Sequence, residues 1–489
     1  MTLKRQATAG VFWVGVTTAI KDVFLQLTKY VLARMLFPAD FGLVSMAYLA
    51  IDFLEMFSDA GFTAAMVYRK GDVRKAADTT FAIGLIIAAV LFSVVFFGAP
   101  TVAVFFRTPQ LTLVLRVLSI NIIIFAFGQV HMALLVKNLA FREKMVPDLV
   151  SVVGNGVVSI AFALMGYGVW SLVIGKIVGT ALTTVLAWIV VPWWRPRLRI
   201  DRKEAKELLG YGRHIVGSGV LIWLITNLDN TFVGRVLGEE QLGLYGFAYT
   251  QANLPATQIS RIVGQVLFPA FSKIRDDAQA LRGVFFRSMR YVSLASVPVS
   301  IGMIAFAKPF ILTLYGGKWA QAIVPLQLLG VYGLVRAVAV NLGNMFKAGG
   351  KPQWLTYLAF VRMAEMGIFL YPAVRYYGII GVSVLSAAVS IVDFVISLVL
   401  TNQIVHGRLG DYMRAVGFPV ALSLVVTLVG LGAYSRMSSA HSLIALLVTA
   451  ALMVALYGLL VMLLDPDVRK IVLGLLAQLE QAGRGSLDE

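Results

Sequence analysis

The chain has no cysteine, which excludes disulfides, a thiol nucleophile and Cys-ligated metal. Histidine is almost as scarce. His131, His214, His406 and His441 are scattered without a ligand spacing, so each reads as interfacial or packed. Charged residues make up 14% of the chain, with 25 acidic against 42 basic. No G-x-x-x-x-G-K-[ST] run is present, so ATP binding through a P-loop is excluded. Hydrophilic loops reach only about twenty residues, and none at the sparsely charged end could house a catalytic domain. This disfavours an enzyme that polymerises or ligates surface glycans.

What is abundant is apolar. Hydrophobic residues are 59% of 489, and the mean hydropathy is +0.83. About twenty apolar residues cross a bilayer as a helix. Such stretches recur at about 10–35, 41–66, 79–98, 110–136, 146–166, 168–191, 210–236, 241–267, 290–314, 322–345, 352–374, 377–401, 412–434 and 441–464. The expectation is an all-α, polytopic membrane protein of about fourteen spans. The first apolar run is too long for a signal peptide and lacks a small-residue cleavage site, so it should persist as span 1.

Lys and Arg orient the spans. Clusters occur at Lys4/Arg5, at Arg69 to Lys75, and at Lys137, Arg142 and Lys144. They continue at Arg195 to Arg213, Lys273 to Arg290, Lys347/Lys351, Arg408/Arg414, and Arg469, Lys470 and Arg484. By count, about 28 basic residues lie on alternate loops, and about five (Arg107, Lys308, Lys318, Arg375, Arg436) on the others. Both termini are therefore expected in the cytoplasm. The net charge of +17 is mostly this topology signal. The basic residues do not gather on one soluble face, so nucleic acid is not an expected partner. Membrane lipids are, because anionic headgroups attract such loops without specific recognition.

The chain repeats itself. Leu27 to Tyr48 aligns without a gap on Leu228 to Tyr249, an offset of 201. Arg34/Arg235, Leu36/Leu237, Gly42/Gly243, Leu43/Leu244, Ala47/Ala248 and Tyr48/Tyr249 are identical. Tyr167-Gly168 and Tyr377-Gly378 each open a span, and Lys137 and Lys347 each close one. The expected organisation is a six-helix lobe over 1–192, a basic cytoplasmic linker over 193–209 and a second six-helix lobe over 210–402. Helices 13 and 14 over 403–464 and a cytoplasmic tail over 465–489 follow. Repeats of this kind commonly hold the substrate between the two halves of a transporter.

An ionised group at mid-bilayer costs about 2.5–3.5 kcal/mol on the insertion scale, so each one is a functional candidate. The basic ones are Lys21, Lys29, Arg34, Arg116, Lys176, Arg235, Arg261, Arg336 and Arg362; the acidic ones are Asp22, Asp52, Glu55, Asp59, Asp229, Glu365 and Asp393. Asn121, Asn155, Asn227, Asn230, Gln251, Asn253, Asn341 and Asn344 fall on the same spans, whereas spans 3, 9, 13 and 14 are nearly free of charge centrally. A polar cavity accounts for this distribution. Arg362 and Glu365, three apart, can neutralise each other. Asp52, Glu55 and Asp59 form an acidic stripe beside span 1 with Lys21 and Lys29, open to structural pairing or to a ligand or ion role. Arg116, Lys176 and Arg336 have no acidic neighbour on their own spans, which points to an anionic substrate such as a phosphate.

Several ordered motifs carry a family resemblance. They are Leu36-Phe-Pro-Ala-Asp-Phe-Gly-Leu, Ser58-Asp-Ala-Gly-Phe, and the run from Asn227-Leu-Asp-Asn-Thr-Phe-Val-Gly-Arg to Leu244-Tyr245. Leu267-Phe-Pro-Ala-Phe-Ser, Leu314-Tyr-Gly-Gly-Lys-Trp and Lys347-Ala-Gly-Gly-Lys-Pro follow. The chain resembles the polysaccharide transporter (Wzx-like) branch of the multidrug/oligosaccharidyl-lipid/polysaccharide exporter superfamily. The resemblance implies two six-helix lobes working by alternating access, with no cofactor. Its implied activity is flipping of an undecaprenyl-diphosphate-linked oligosaccharide in a bacterial inner membrane. It further places polysaccharide polymerase and chain-length machinery among the expected partners, and sets helices 13 and 14 beside the lipid tail. On this reading Lys29, Arg34, Arg116, Lys176, Arg336 and Arg362 would hold diphosphate. Asn121, Asn227, Asn230, Gln251, Asn253 and Asn341 would hold sugar hydroxyls, and Asp52, Glu55, Asp229 and Asp393 would couple ions or pair structurally. A cation antiporter of the same superfamily, which would prefer an acidic cavity, is the alternative; a non-transporting scaffold for glycan assembly is a further rival.

Overall fold

The computed structural model describes residues 3–59, 73–274, 276–437, 442–470 and 474. Arg69, Lys70, Arg275, His441, Arg484 and the Ala60-Gly61-Phe62 part of one motif lie outside the described residues. So do the side chains of Lys4, Arg5, Asp59, Lys203, Arg213, His214 and Arg261.

Among the described residues every regular element is a helix, as it must be where lipid offers the backbone no hydrogen bonds. The long helices are α1 (Leu3–Met35), α2 (Pro38–Asp59), α3 (Val73–Phe106), α4 (Leu111–Lys137), α5 (Phe141–Leu164) and α6 (Val169–Val190). They continue with α7 (Arg202–Leu237), α8 (Glu239–Lys273), α9 (Ala278–Ala305) and α10 (Ile323–Ala348). After the helical stretch Gln353–Val405 come α13 (Phe418–Met437) and α14 (Ser442–Leu464).

Gln353–Val405 is 53 residues, or about 80 Å if straight, far longer than a bilayer core of about 30 Å. It is not straight. Gly378 takes φ 58°, ψ −147°, open to glycine but not to other residues, and the chain reverses there. Arg362 reaches Asp393, 31 residues later, with Nε 2.6 Å from Oδ2. The stretch is therefore two antiparallel arms, α11 (353–377) and α12 (379–405). Gly168, its counterpart in the sequence repeat, adopts nearly the same backbone, φ 52°, ψ −126°, before α6.

Among the described residues, ten helices are long and apolar enough to cross a membrane, Gln353–Val405 counting once. The described parts of α1, α2 and α8 do not meet that test, and these helices carry many of the charges and amides singled out above. The protein is a multi-pass membrane protein. An expectation of about fourteen spans is consistent with this set.

The chain divides into two compact units, Met1–Phe247 with Met363–Val382, and Ala248–Arg362 with Ser383–Glu489. In the first, α5 packs on α6 and α1, and α4 on α3 and α6. Small residues permit the approach: Gly175 and Gly179 of α6 lie against Asn155 and Ser159 of α5. A core of Ala76, Phe81, Val130, Leu134 and Trp194 closes one end. In the second unit α9 packs on α10 and α13, and α13 on α14, around Phe271, Phe285, Met289, Leu342 and Phe346.

Candidate functional site

The second unit holds a cavity of about 240 Å³ between α10, α11 and α12, largely apolar in its wall but with charged and hydroxyl groups on it. Tyr332, Arg336, Arg362, Ser390, Asp393 and Ser397 line it, with Phe346, Leu355 and Phe394. Arg336 Nη1 donates to Asn253 Oδ1 (3.2 Å) and Tyr332 Oη (3.3 Å). Tyr332 Oη lies 3.1 Å from Tyr249 Oη, and Asn253 Nδ2 is tied to the Tyr249 carbonyl at 3.1 Å. No carboxylate among the described residues pairs with Arg336; its partners are neutral hydroxyls and an amide. That leaves a full positive charge beside the cavity.

Arg362 and Asp393 also face it. Sequence spacing offered Glu365, one turn away on α11, as the partner of Arg362, yet Arg362 binds Asp393 on α12. The hairpin at Gly378 is what makes that pairing available. Asp393 Oδ1 is buried without a hydrogen-bond partner. On α10, Asn341 is fully buried with neither amide atom paired, while Gln251 Nε2 donates to Tyr315 Oη at 3.4 Å.

In the first unit, Lys176 Nζ lies over the Tyr48 ring, 5.9 Å from its centroid. Asp52 and Glu55, one and two turns along α2, feel its charge. Lys21, offered by the sequence as a neighbour of this acidic stripe, instead lies 3.7 Å from Asp148 of α5, which Lys144 also binds at 2.7 Å. Helix-to-helix distances, invisible in the sequence, decided both pairings. Lys176 thus has carboxylates of another helix within electrostatic reach, with no ion pair among the described residues, whereas Arg336 has none.

Arg116 does something else. Pro100 lacks an N–H and leaves the Phe96 carbonyl of α3 without its helical donor; Arg116 Nε supplies one at 3.2 Å and its guanidinium packs on the Phe96 ring. Asp229 is buried, accepting from Tyr245 Oη at 2.7 Å and from the Asn230 backbone at 2.8 Å. Asn227 Nδ2 donates to the Trp223 carbonyl at 3.2 Å, and Asn121 Oδ1 of α4 is buried without a partner. Lys29 and Arg34 are exposed along α1.

The tyrosine hydroxyls were missed from sequence. The signal available was the identity of Tyr48 with Tyr249, which the structure turns into two equivalent brackets. Each tyrosine borders a cation, with Asp52 one turn on in one copy and Asn253 at the same place in the other.

A second cavity, of about 580 Å³ and almost wholly apolar, lies between α9, α13 and α14. Val299, Met303, Phe306, Leu447, Met453 and Val454 line it, with the Tyr457 hydroxyl bound to the Leu294 carbonyl at 3.0 Å.

Comparisons with known proteins agree with one another. The chain is 25% identical over 432 residues to the teichuronic acid biosynthesis protein TuaB of Bacillus subtilis, covering 88% of this chain and 89% of that one. It is 25% identical over 430 residues to the lipopolysaccharide biosynthesis protein WzxC of Escherichia coli, covering 87% of each. The succinoglycan biosynthesis transport protein ExoT of Rhizobium meliloti is 27% identical over 348 residues, covering 71% of this chain and 70% of that one. Among solved structures, the lipid II flippase MurJ in an inward closed conformation superposes with a TM-score of 0.74 at 14% identity, over 94% of this chain and 99% of that one. An inward-facing MATE transporter of the MOP superfamily gives 0.59 at 17% identity, over 80% and 98%. These two share the fold. Residues 31–324 match the model of one family, described as polysaccharide biosynthesis protein, and the chain belongs to that family.

Proposed function

We propose that this chain is a flippase that moves a polyprenyl-diphosphate-linked oligosaccharide across the cytoplasmic membrane by alternating access. The observation that carries the reading is Arg336: a guanidinium beside a cavity, bound only by hydroxyls and an amide. Such a group suits a phosphate oxygen, because charge-assisted N–H···O bonds are the strong ones. Asn253, Tyr332 and Ser390 beside it suit sugar or phosphate oxygens. The apolar cavity of α9, α13 and α14 suits the isoprenoid chain.

In this reading the working lobes are 1–192 and 210–402, and both termini are cytoplasmic, as the loop charges require. The acidic residues Asp52, Glu55, Asp229 and Asp393 offer coupling-ion or structural positions. Arg116 is assigned to holding α3, and Lys176 to balancing α2. The names of the relatives, which speak of teichuronic acid, lipopolysaccharide and succinoglycan, support a surface-glycan precursor as cargo and glycan polymerases as neighbours.

The test is flipping of a lipid-linked oligosaccharide in proteoliposomes. Wild type should flip, and Arg336→Gln should lose at least about tenfold, the loss of one charge-assisted bond of about 1.4 kcal/mol or more. If wild type is inactive on several diphosphate lipids but exports organic cations, the antiporter reading replaces this one.

A further inference from the structure

The connection from α6 to α7, residues 191–201, is an extended strap and not a loose linker. Trp194 is buried, with 2% of its surface exposed, and its indole Nε1 donates to Asp78 Oδ1 at 3.1 Å. The same oxygen accepts the Arg197 backbone N–H at 3.2 Å, and Thr79 Oγ1 accepts that of Asp201 at 3.2 Å. Asp78 and Thr79 are themselves buried near the start of α3. The Trp194 ring stands edge-on to His131 (4.8 Å), which stacks on Trp188 (4.5 Å).

These clamps fix what the strap turns outward. Trp193, Leu198 and Ile200 are exposed at 56%, 76% and 48%. Between them stand the exposed Arg195, Arg197 and Arg199, and Arg202 follows on the first turn of α7. The strap leaves the end of α6 and is clamped to the start of α3, both long and apolar enough to span, so it lies near the height of the headgroups. Large apolar groups interleaved with guanidinium groups at that height match a layer with phosphates above and carbon below. Four arginines stand against the single carboxylate of Asp201, so the strap is net positive, as an anionic surface requires.

We propose that residues 193–202 form a binding surface for anionic phospholipid. Arg195, Arg197, Arg199 and Arg202 hold the phosphates, while Trp193, Leu198 and Ile200 enter the acyl boundary. This surface is independent of the cargo site and of the direction of transport.

Because the chain has no cysteine, Leu198→Cys gives a unique thiol for a nitroxide label. The full chain would be reconstituted in phosphatidylcholine vesicles with and without phosphatidylglycerol. Label depth is then read from its relative accessibility to oxygen and to a water-soluble nickel chelate. With phosphatidylglycerol the label should sit about 5 Å or more below the phosphates. Replacing Arg195, Arg197 and Arg199 by Gln should return it to water, and replacing them by Lys should not. A label that stays aqueous in phosphatidylglycerol overturns the proposal, as does a depth indifferent to both the lipid and the Gln changes. All three arginines are exposed; Arg195 also donates to the Trp188 carbonyl at 3.3 Å, so the Arg197→Gln, Arg199→Gln pair, which leaves that bond in place, should by itself draw the label toward water.

Discussion

Arg116 illustrates how a cation in an apolar helix can be occupied without any ligand. Its Nε fills the donor position that Pro100 vacates at the Phe96 carbonyl. Tyr457 does the same for Leu294, four residues before Pro298. Leaving such a carbonyl unpaired in an apolar setting costs about 1–3 kcal/mol. Arg116→Ala should therefore lower thermal stability, while flipping per folded molecule stays near wild type. Pro100→Ala restores the missing N–H. In its background Arg116→Ala should cost clearly less, and additive costs in a double-mutant cycle would sink the assignment. Arg362 and Asp393 give the opposite expectation. Asp393 is buried, so Arg362→Ala strands a carboxylate at a cost of about 3–5 kcal/mol. Arg362→Gln with Asp393→Asn together should be milder than Arg362→Ala alone in a chemical unfolding series. Sequence placed these charges within the membrane, because polarity in an apolar run is a local property. It did not pair them, since Arg362 and Asp393 stand 31 residues apart and meet only through the turn at Gly378.

At the scale of elements, the repeat becomes a contact. Gly42 near the start of α2 packs on the Glu239 carbonyl, and Gly243 near the start of α8 packs on the Pro38 carbonyl. Pro38 and Glu239 are equivalent at the offset of 201, as are the two glycines. Each helix thus offers the other the same surface, the signature of a two-fold contact. A Cβ on either glycine would overlap the opposing carbonyl. Gly42→Ala and Gly243→Ala should each destabilise by about 1–3 kcal/mol through overpacking, by similar amounts, and together by less than the sum. Strongly unequal single effects would count against a symmetric contact. The identity of Gly42 with Gly243 was visible in the sequence. That the two meet was not, because alignment reports equivalence and is blind to distance. Likewise the shared Tyr-Gly pairs at 167–168 and 377–378 were legible as repeats. Their common positive φ, the reason glycine stands there, needed the backbone.

Across the whole molecule, the multi-pass helical class was readable because hydropathy accumulates over many residues. Membership of the polysaccharide biosynthesis protein family was readable from motif order. The allocation of charge between two brackets was not, since Lys176 and Arg336 look alike until Asp52, Glu55 and Asn253 are placed beside them. One expectation on this scale still turns on a single element. If α11 and α12 both cross the bilayer, Arg375 near their turn lies on the same side as Arg107 and Arg436, and Lys347 and Arg408 lie opposite. If the pair entered and returned on one face, everything after it would keep the side of Lys347 and Arg408 would be joined by Arg375. The absence of native cysteine makes the distinction clean. Single Cys replacements of Arg107, Lys347, Arg375, Arg408 and Arg436 would be treated with an impermeant maleimide in intact spheroplasts and again after lysis. Arg107→Cys, Arg375→Cys and Arg436→Cys should label in intact cells, and Lys347→Cys and Arg408→Cys only after lysis. Protection of Arg375→Cys in intact cells would reduce the count by two and break the correspondence between α12 and α6. The strongly apolar character of Gln353–Val405 favours full crossing by at least one arm. The Arg362–Asp393 pair, set across the two arms and away from their turn, demands that the second arm run back alongside the first.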